Sequence, residues 1–205
     1  MSRTTILKVF HSHHVGPVSL KKYRPGPNPP DAPLQIPSRS VQLDVKFVPR
    51  VERARQRFYQ FTAIDEATRF RVLRIYDHDN TKTAIDFLRE VREHFPFAIQ
   101  RIQTDNGSSF GLQFIWHLSD LSISHKRIPP YCPELNGKVE RSHKTDSKEF
   151  YQGKHFKYGG DLARKLKKWE SEYNEDQPHL TLKGMTPAER LRELNQPLFT
   201  ARDVS

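Results

Sequence analysis

Hydrophobic and polar positions alternate from Val41 to Phe47, with Val41, Leu43, Val45 and Phe47 interleaved by Gln42, Asp44 and Lys46. That is the period of a strand with one apolar and one polar face. Asp44 falls mid-strand on the polar face. Residues 57–64 and 69–76 are rich in aromatic and β-branched residues, and the turn-like DEAT between them predicts a hairpin. Across residues 81–95, Ala84, Phe87, Leu88, Val91 and Phe95 recur at helical spacing, and Pro96 ends the run. Residues 97–104 predict a strand that delivers Asp105-Asn106-Gly107 at its C-terminal end. A short helix (108–119) and a short strand (121–128) follow. Helices are predicted over 136–151, over 160–174 with Leu162, Leu166, Trp169 and Tyr173 as its apolar stripe, and from Thr186-Pro187, with proline at the first helical position. The spacing of Phe87, Trp169 and Tyr173 favours core packing over base stacking. The order β-β-β-α-β-α-β makes residues 41–195 an α/β domain.

Outside that domain the pattern is lost. Residues 1–40 form a basic, proline-rich extension, and 196–205 a C-terminal tail. Mean hydropathy is −0.77, and no window approaches the ~18 apolar residues of a membrane span. The start of the chain lacks a signal-peptide core, so a cytoplasmic, nucleoid-associated protein is expected. Cys132 is the only cysteine, which excludes an internal disulfide and a multi-cysteine zinc site. His11, His13 and His14 read as a solvated cluster. The net charge of +10 and pI near 9.8 favour a polyanionic partner, nucleic acid first; a solvated basic surface is the alternative.

Three carboxylates stand at particular places: Asp44 in the first strand, Asp105 just after a later one, and Glu140 in a helix 35 positions further on. Singly, each has a plain reading, since Asp-Asn-Gly is also a common turn. Converging, they would repel one another by about 4 kcal/mol per pair at 4 Å and an effective dielectric near 20. A cation must compensate, and hard oxygen ligands select Mg²⁺ or Mn²⁺. Two such ions could drive an in-line phosphoryl transfer.

The segments QLDVKF, QTDNGSSF and PPYCPELNGKVERSHKT, with AIDEATRF and the later WESEYNEDQPH and MTPAERL, together resemble the integrase catalytic core of DDE-type bacterial insertion-sequence transposases, and more distantly retroviral integrases. The resemblance runs from about Gln42 to Leu191. It implies a ribonuclease H-like fold, a five-stranded mixed sheet flanked by helices, and a catalytic, metal-binding triad of Asp44, Asp105 and Glu140 holding two Mg²⁺ (or Mn²⁺) ions. It also implies the reaction: metal-activated water nicks DNA, and the freed 3′-hydroxyl attacks a target phosphodiester. The partners implied are DNA and a second copy of the chain, as a homodimer or higher oligomer.

DNA-contact candidates are Asn106, Asn136, Lys138, Arg141, Lys144 and Lys148. Lys144 sits at i+4 from Glu140, so phosphate binding competes with a plain intrahelical ion pair. The loop 129–136 reads either as a DNA-contacting segment or as a connector. Two departures from the family pattern are Val41, where relatives often carry Trp, and Gln177, where they often carry Arg. A third is the absence of a helix-turn-helix ahead of the core, which suggests a truncated copy, a cloned fragment or a split product. Two further readings therefore stay open: a non-catalytic DNA-binding or dimerising fragment, and a stand-alone nuclease.

Overall fold

The alternation at 41–47 becomes the central strand of a five-stranded sheet. The computed structural model describes residues 40–49, 51–129 and 136–195. Strand β1 (Val41–Phe47) pairs antiparallel with β2 (Tyr59–Asp65), which pairs antiparallel with β3 (Arg71–Tyr76). On its other side β1 runs parallel to β4 (Arg101–Thr104), and β4 parallel to β5 (Ser124–Arg127). The order is β3-β2-β1-β4-β5, a mixed sheet. The helices are α1 (Thr81–His94), α2 (Leu112–Asp120), α3 (Gly137–Thr145), α4 (Gly159–Glu175) and α5 (Pro187–Asn195). The predicted order of elements is the observed one.

Successive strand residues point to opposite faces, and both faces are covered. Phe61, Ala63 and Val72 pack with Ala84, Phe87, Leu88 and Val91 of α1 in one core. Leu73 packs with Phe150, Phe156, and Leu162 and Leu166 of α4 in the other. Phe87 and Tyr173 are buried and Trp169 packs on the second core, as their spacing predicts. Caps set the helix starts: Asn80 accepts the Thr83 N–H at 2.9 Å, and Thr186 and Glu189 exchange reciprocal bonds at the head of α5.

The structure departs from the sequence pattern in four places. Residues 97–100 lie outside the ladder, because Pro96 turns the chain and Phe97 stacks on Phe95 while Ile99 enters the core. Phe47, on the predicted apolar face, is 63% exposed because β1 outruns the core. Gln42, on the polar face, is buried: it donates to Glu66 at 2.7 Å and accepts the Val139 N–H at 3.2 Å. The helix predicted over 136–151 changes to a π-helical turn at Asp146–Tyr151, which carries Asp146 inward. The extension 1–39, the histidine cluster, Cys132, residues 130–135 of the loop and the tail 196–205 lie outside the described residues.

Candidate active site

The parallel pairing of β1 with β4 ends at Leu43 opposite Thr104. The next residue on each strand is an aspartate. Asp44 and Asp105 therefore emerge from neighbouring strands at the same edge of the ladder. Burial and the nearby Asp105 charge push the Asp44 carboxyl up to about 7, with a smaller contribution from Glu140. The Val45 N–H donates to its Oδ1 at 2.8 Å and Asn136 Nδ2 to its Oδ2 at 3.3 Å, and both bonds oppose the rise. Asp105 is oriented by the turn that follows it, where the Gly107 N–H donates to its Oδ1 at 2.8 Å. A side chain there would press on the carboxylate: a Cβ on residue 107 would lie 2.9 Å from that oxygen.

Glu140 sits on α3, half-buried, near enough to raise the Asp44 value. With Arg141, Lys144 and Lys148 it lines a groove of about 520 Å³. Those three cations are exposed, and the alternative Glu140–Lys144 ion pair is not formed among the described residues. No group of three or more His, Cys, Asp or Glu side chains among the described residues stands ready to hold a metal ion. The structure thus brings the two aspartates to neighbouring strand ends, within electrostatic reach of each other and of Glu140, which lines the groove.

The other contact candidates divide. Asn106 donates to the Ile128 carbonyl at 3.0 Å, tying the β4 turn to the end of β5. Asn136 is buried against Asp44. Lys138 pairs with Glu66 at 3.0 Å, half-buried. In this structure the side chains of these three bond to the protein itself, while Arg141, Lys144 and Lys148 are open to solvent.

Sequence reasoning missed the polar layer beneath α3. Arg71 and Asp146, both with fully buried side chains, pair at 2.8 Å. Asp146 also accepts from Trp169 Nε1 at 2.8 Å and Gln60 Nε2 at 2.7 Å, and Arg71 donates to Ser142 at 2.8 Å. Burial alone would raise the Asp146 carboxyl, but Arg71, Lys46 and the two hydrogen bonds outweigh it and hold it below the usual range. The Arg71 guanidinium stacks 3.4 Å from the Tyr173 ring centroid. His143 contacts Thr62 at 3.0 Å, and its Nδ1 lies 3.6 Å from Asp44. Burial, reinforced by Lys46, pushes this imidazole down to about 4, so it is neutral at pH 7 and the contact with Asp44 is no ion pair. Only the i, i+3 placement of His143 and Asp146 could have signalled that the end of α3 and the turn after it carry polar groups inward.

Two models of the integrase core domain match the chain, over residues 35–133 and 121–187, and together they span about three quarters of it. The chain belongs to the integrase core domain family. Family members are catalytic cores of integrases and transposases, whose general chemistry is polynucleotidyl transfer. A candidate integrase, ORF3 of Spiroplasma virus SpV1-C74, is 31% identical over 173 residues, 76% of this chain and 48% of that protein. The chain thus spans about half the length of the curated relative it matches. Among solved structures, the simian T-cell lymphotropic virus intasome in complex with PP2A regulatory subunit B56 gamma aligns with a TM-score of 0.65 at 19% identity, over 80% of this chain and 57% of that one. The BIV integrase catalytic core domain aligns at 0.59 and 18%, over 76% and 95%. The HTLV-2 integrase catalytic core domain in complex with magnesium aligns at 0.57 and 16%, over 76% and 97%. These likenesses establish the ribonuclease H-like fold of this integrase core domain. No helix among its described residues is long and apolar enough to cross a membrane.

Proposed function

We propose that this integrase core domain is the catalytic core of a DDE-type transposase of a bacterial insertion sequence, cutting DNA and joining the freed 3′-hydroxyl to a target strand. The observation that carries the proposal is the pairing of Asp44 with Asp105 at the end of the parallel ladder, where burial and mutual repulsion hold Asp44 up to about 7. A bound divalent cation would offset the repulsion between two carboxylates held in that state. An all-oxygen donor set fits Mg²⁺ or Mn²⁺. Asp44 and Asp105 would hold the ions, two in the full reading, and Glu140 would complete the set. When bound, such ions supply charge neutralisation at a scissile phosphate and a nucleophile active near neutral pH.

The chain's own residues divide the remaining work. Arg141, Lys144 and Lys148 bind backbone phosphates along the groove and orient the strand beside Glu140. Asn136 and the Val45 N–H hold the Asp44 oxygens in a fixed direction. The Gly107 N–H does the same for Asp105.

The test is a donor-DNA nicking and strand-transfer assay with Mg²⁺ or Mn²⁺, comparing the chain with Asp44→Asn, Asp105→Asn and Glu140→Gln. Each substitution is expected to abolish both steps. Activity that survives Asp44→Asn and Asp105→Asn together would refute the triad. Hydrolysis without joining would point to a nuclease, and salt-sensitive binding without cleavage to a non-catalytic DNA-binding fragment.

A further inference from the structure

A second basic surface lies outside the α3 groove. It is built from the connection between β1 and β2 and from the segment leading into α4. The two are tied by backbone bonds: Glu52 N–H to the Phe156 carbonyl at 3.0 Å and Arg53 N–H to that of Lys157 at 3.1 Å. Val51 anchors the first segment in the core beside Phe150 and Phe156. Gly159 lets the second approach closely, since a Cβ there would lie 2.6 Å from the Phe58 ring. The surface is therefore a fixed platform.

Arg53, Arg55, Arg57, Lys154 and Lys157 are all exposed on these segments. None of the five forms an ion pair with a described residue. Glu52, the one carboxylate in 51–58 and 152–158, pairs with His155 at 3.1 Å. Two of the large apolar side chains left exposed in the molecule flank the cations, Phe47 at 63% and Tyr158 at 57%. The Arg57 guanidinium lies 5.8 Å from the Phe47 ring centroid. Unpaired cations interleaved with open aromatic faces are suited to a polyanion that also carries π-faces. A second copy of this chain presenting the same face would set these cations against their own kind, which disfavours self-association through this platform.

We infer that this platform is a second DNA-binding surface, gripping phosphates through Arg53, Arg55 and Arg57, which follow the Asp44 strand along the chain. The inference rests on the reading of the chain as a DNA strand transferase, and it extends the DNA path beyond the groove.

The test is fluorescence anisotropy with a labelled duplex of arbitrary sequence across a salt series. It is run on the chain carrying Asp44→Asn, so that binding is read without turnover. Replacing Arg53, Arg55 and Arg57 together by alanine is expected to reduce the slope of log K against log salt by about 2 to 3. Replacing them by lysine should restore it. Folding of each variant is checked by its melting curve. An unchanged slope overturns the inference, as does a loss confined to self-association in sedimentation, which would assign the platform to a second copy. A wild-type chain that fails to nick DNA yet shows the slope change would sink the catalytic reading and leave the platform standing.

Discussion

Substituting Asp146 by asparagine tests whether the polar layer beneath α3 holds the site together. Both carboxylate oxygens accept bonds from donors only: Arg71 Nη1 and Trp169 Nε1 on Oδ1, Gln60 Nε2 on Oδ2. An asparagine must point its NH₂ at one of these, replacing an acceptor by a donor. The Arg71 charge, with no solvent exposure, also loses its counter-ion. Breaking a buried pair from one side costs about 3–5 kcal/mol, which for a domain of this size lowers the melting temperature by roughly 6–20 °C.

The assay is urea unfolding at pH 7, followed by far-UV circular dichroism and tryptophan fluorescence. The pH dependence has a definite sign. The Asp146 carboxyl is held below its unfolded value of 3.8, so its contribution is full above that pH and fades as pH falls through the folded value. The gap between wild type and Asp146→Asn should therefore close under strongly acid conditions. The double variant Arg71→Met/Asp146→Leu should regain part of the loss, because it removes the stranded Arg71 charge while Lys46, 3.8 Å from Asp146, still loses its partner. A cost for Asp146→Asn below about 1 kcal/mol at pH 7 would refute the reasoning.

Three further outcomes follow from the site. Asp44, raised from 3.8 to about 7, binds a proton in the folded chain that the unfolded chain releases, so stability falls as pH rises between those values. Asp44→Asn should flatten that fall, and Mg²⁺ should raise the wild-type melting temperature more at pH 8 than at pH 5; equal effects at both would count against a metal on these carboxylates. Gly107→Ala forces a Cβ against Asp105 Oδ1 and should cost about tenfold or more in strand transfer with a melting temperature within a few degrees of wild type. Lys144→Ala/Lys148→Ala should reduce the salt slope of DNA binding by about 2 while leaving stability unchanged, a result that buried, structural lysines would not give.

Much of the fold was legible because the sheet and α1 follow simple periods: alternation in β1, aromatic runs in β2 and β3, and the Ala84–Phe87–Leu88–Val91 stripe. The errors fall where tertiary packing overrides period. Gln42 sits on a polar face that α3 covers, so a residue read as solvated becomes a buried bridge to Val139 and Glu66. Phe47 continues the apolar face of Val41 and Leu43 past the end of the core, so it stays exposed. Phe97 and Ile99 look like strand residues, yet they pack without a ladder. The aspartates were legible through strand position and motif, whereas Arg71 and Asp146 were not, since they are 75 positions apart and no local pattern joins a β3 arginine to the end of α3.

That unseen pair bears on how the candidate site is built. Asp44 and Asp105 depend only on the register of two adjacent strands, and the sheet hydrogen bonds fix it. Glu140 depends on α3, which follows the loop 129–136 and has no ladder to locate it. What locates α3 is its inward side: Val139 in contact with Gln42, Ser142 and Asp146 bonded to Arg71, His143 bonded to Thr62. These contacts fall at i−1, i+2, i+6 and i+3 from Glu140, so they constrain the helix axis and rotation while leaving the glutamate side chain free to turn within the groove. In the proposed triad, two carboxylates would be preorganised and the third would respond to whatever enters between them. It follows that loosening Asp146 should impair Glu140-dependent steps before it disturbs Asp44 and Asp105.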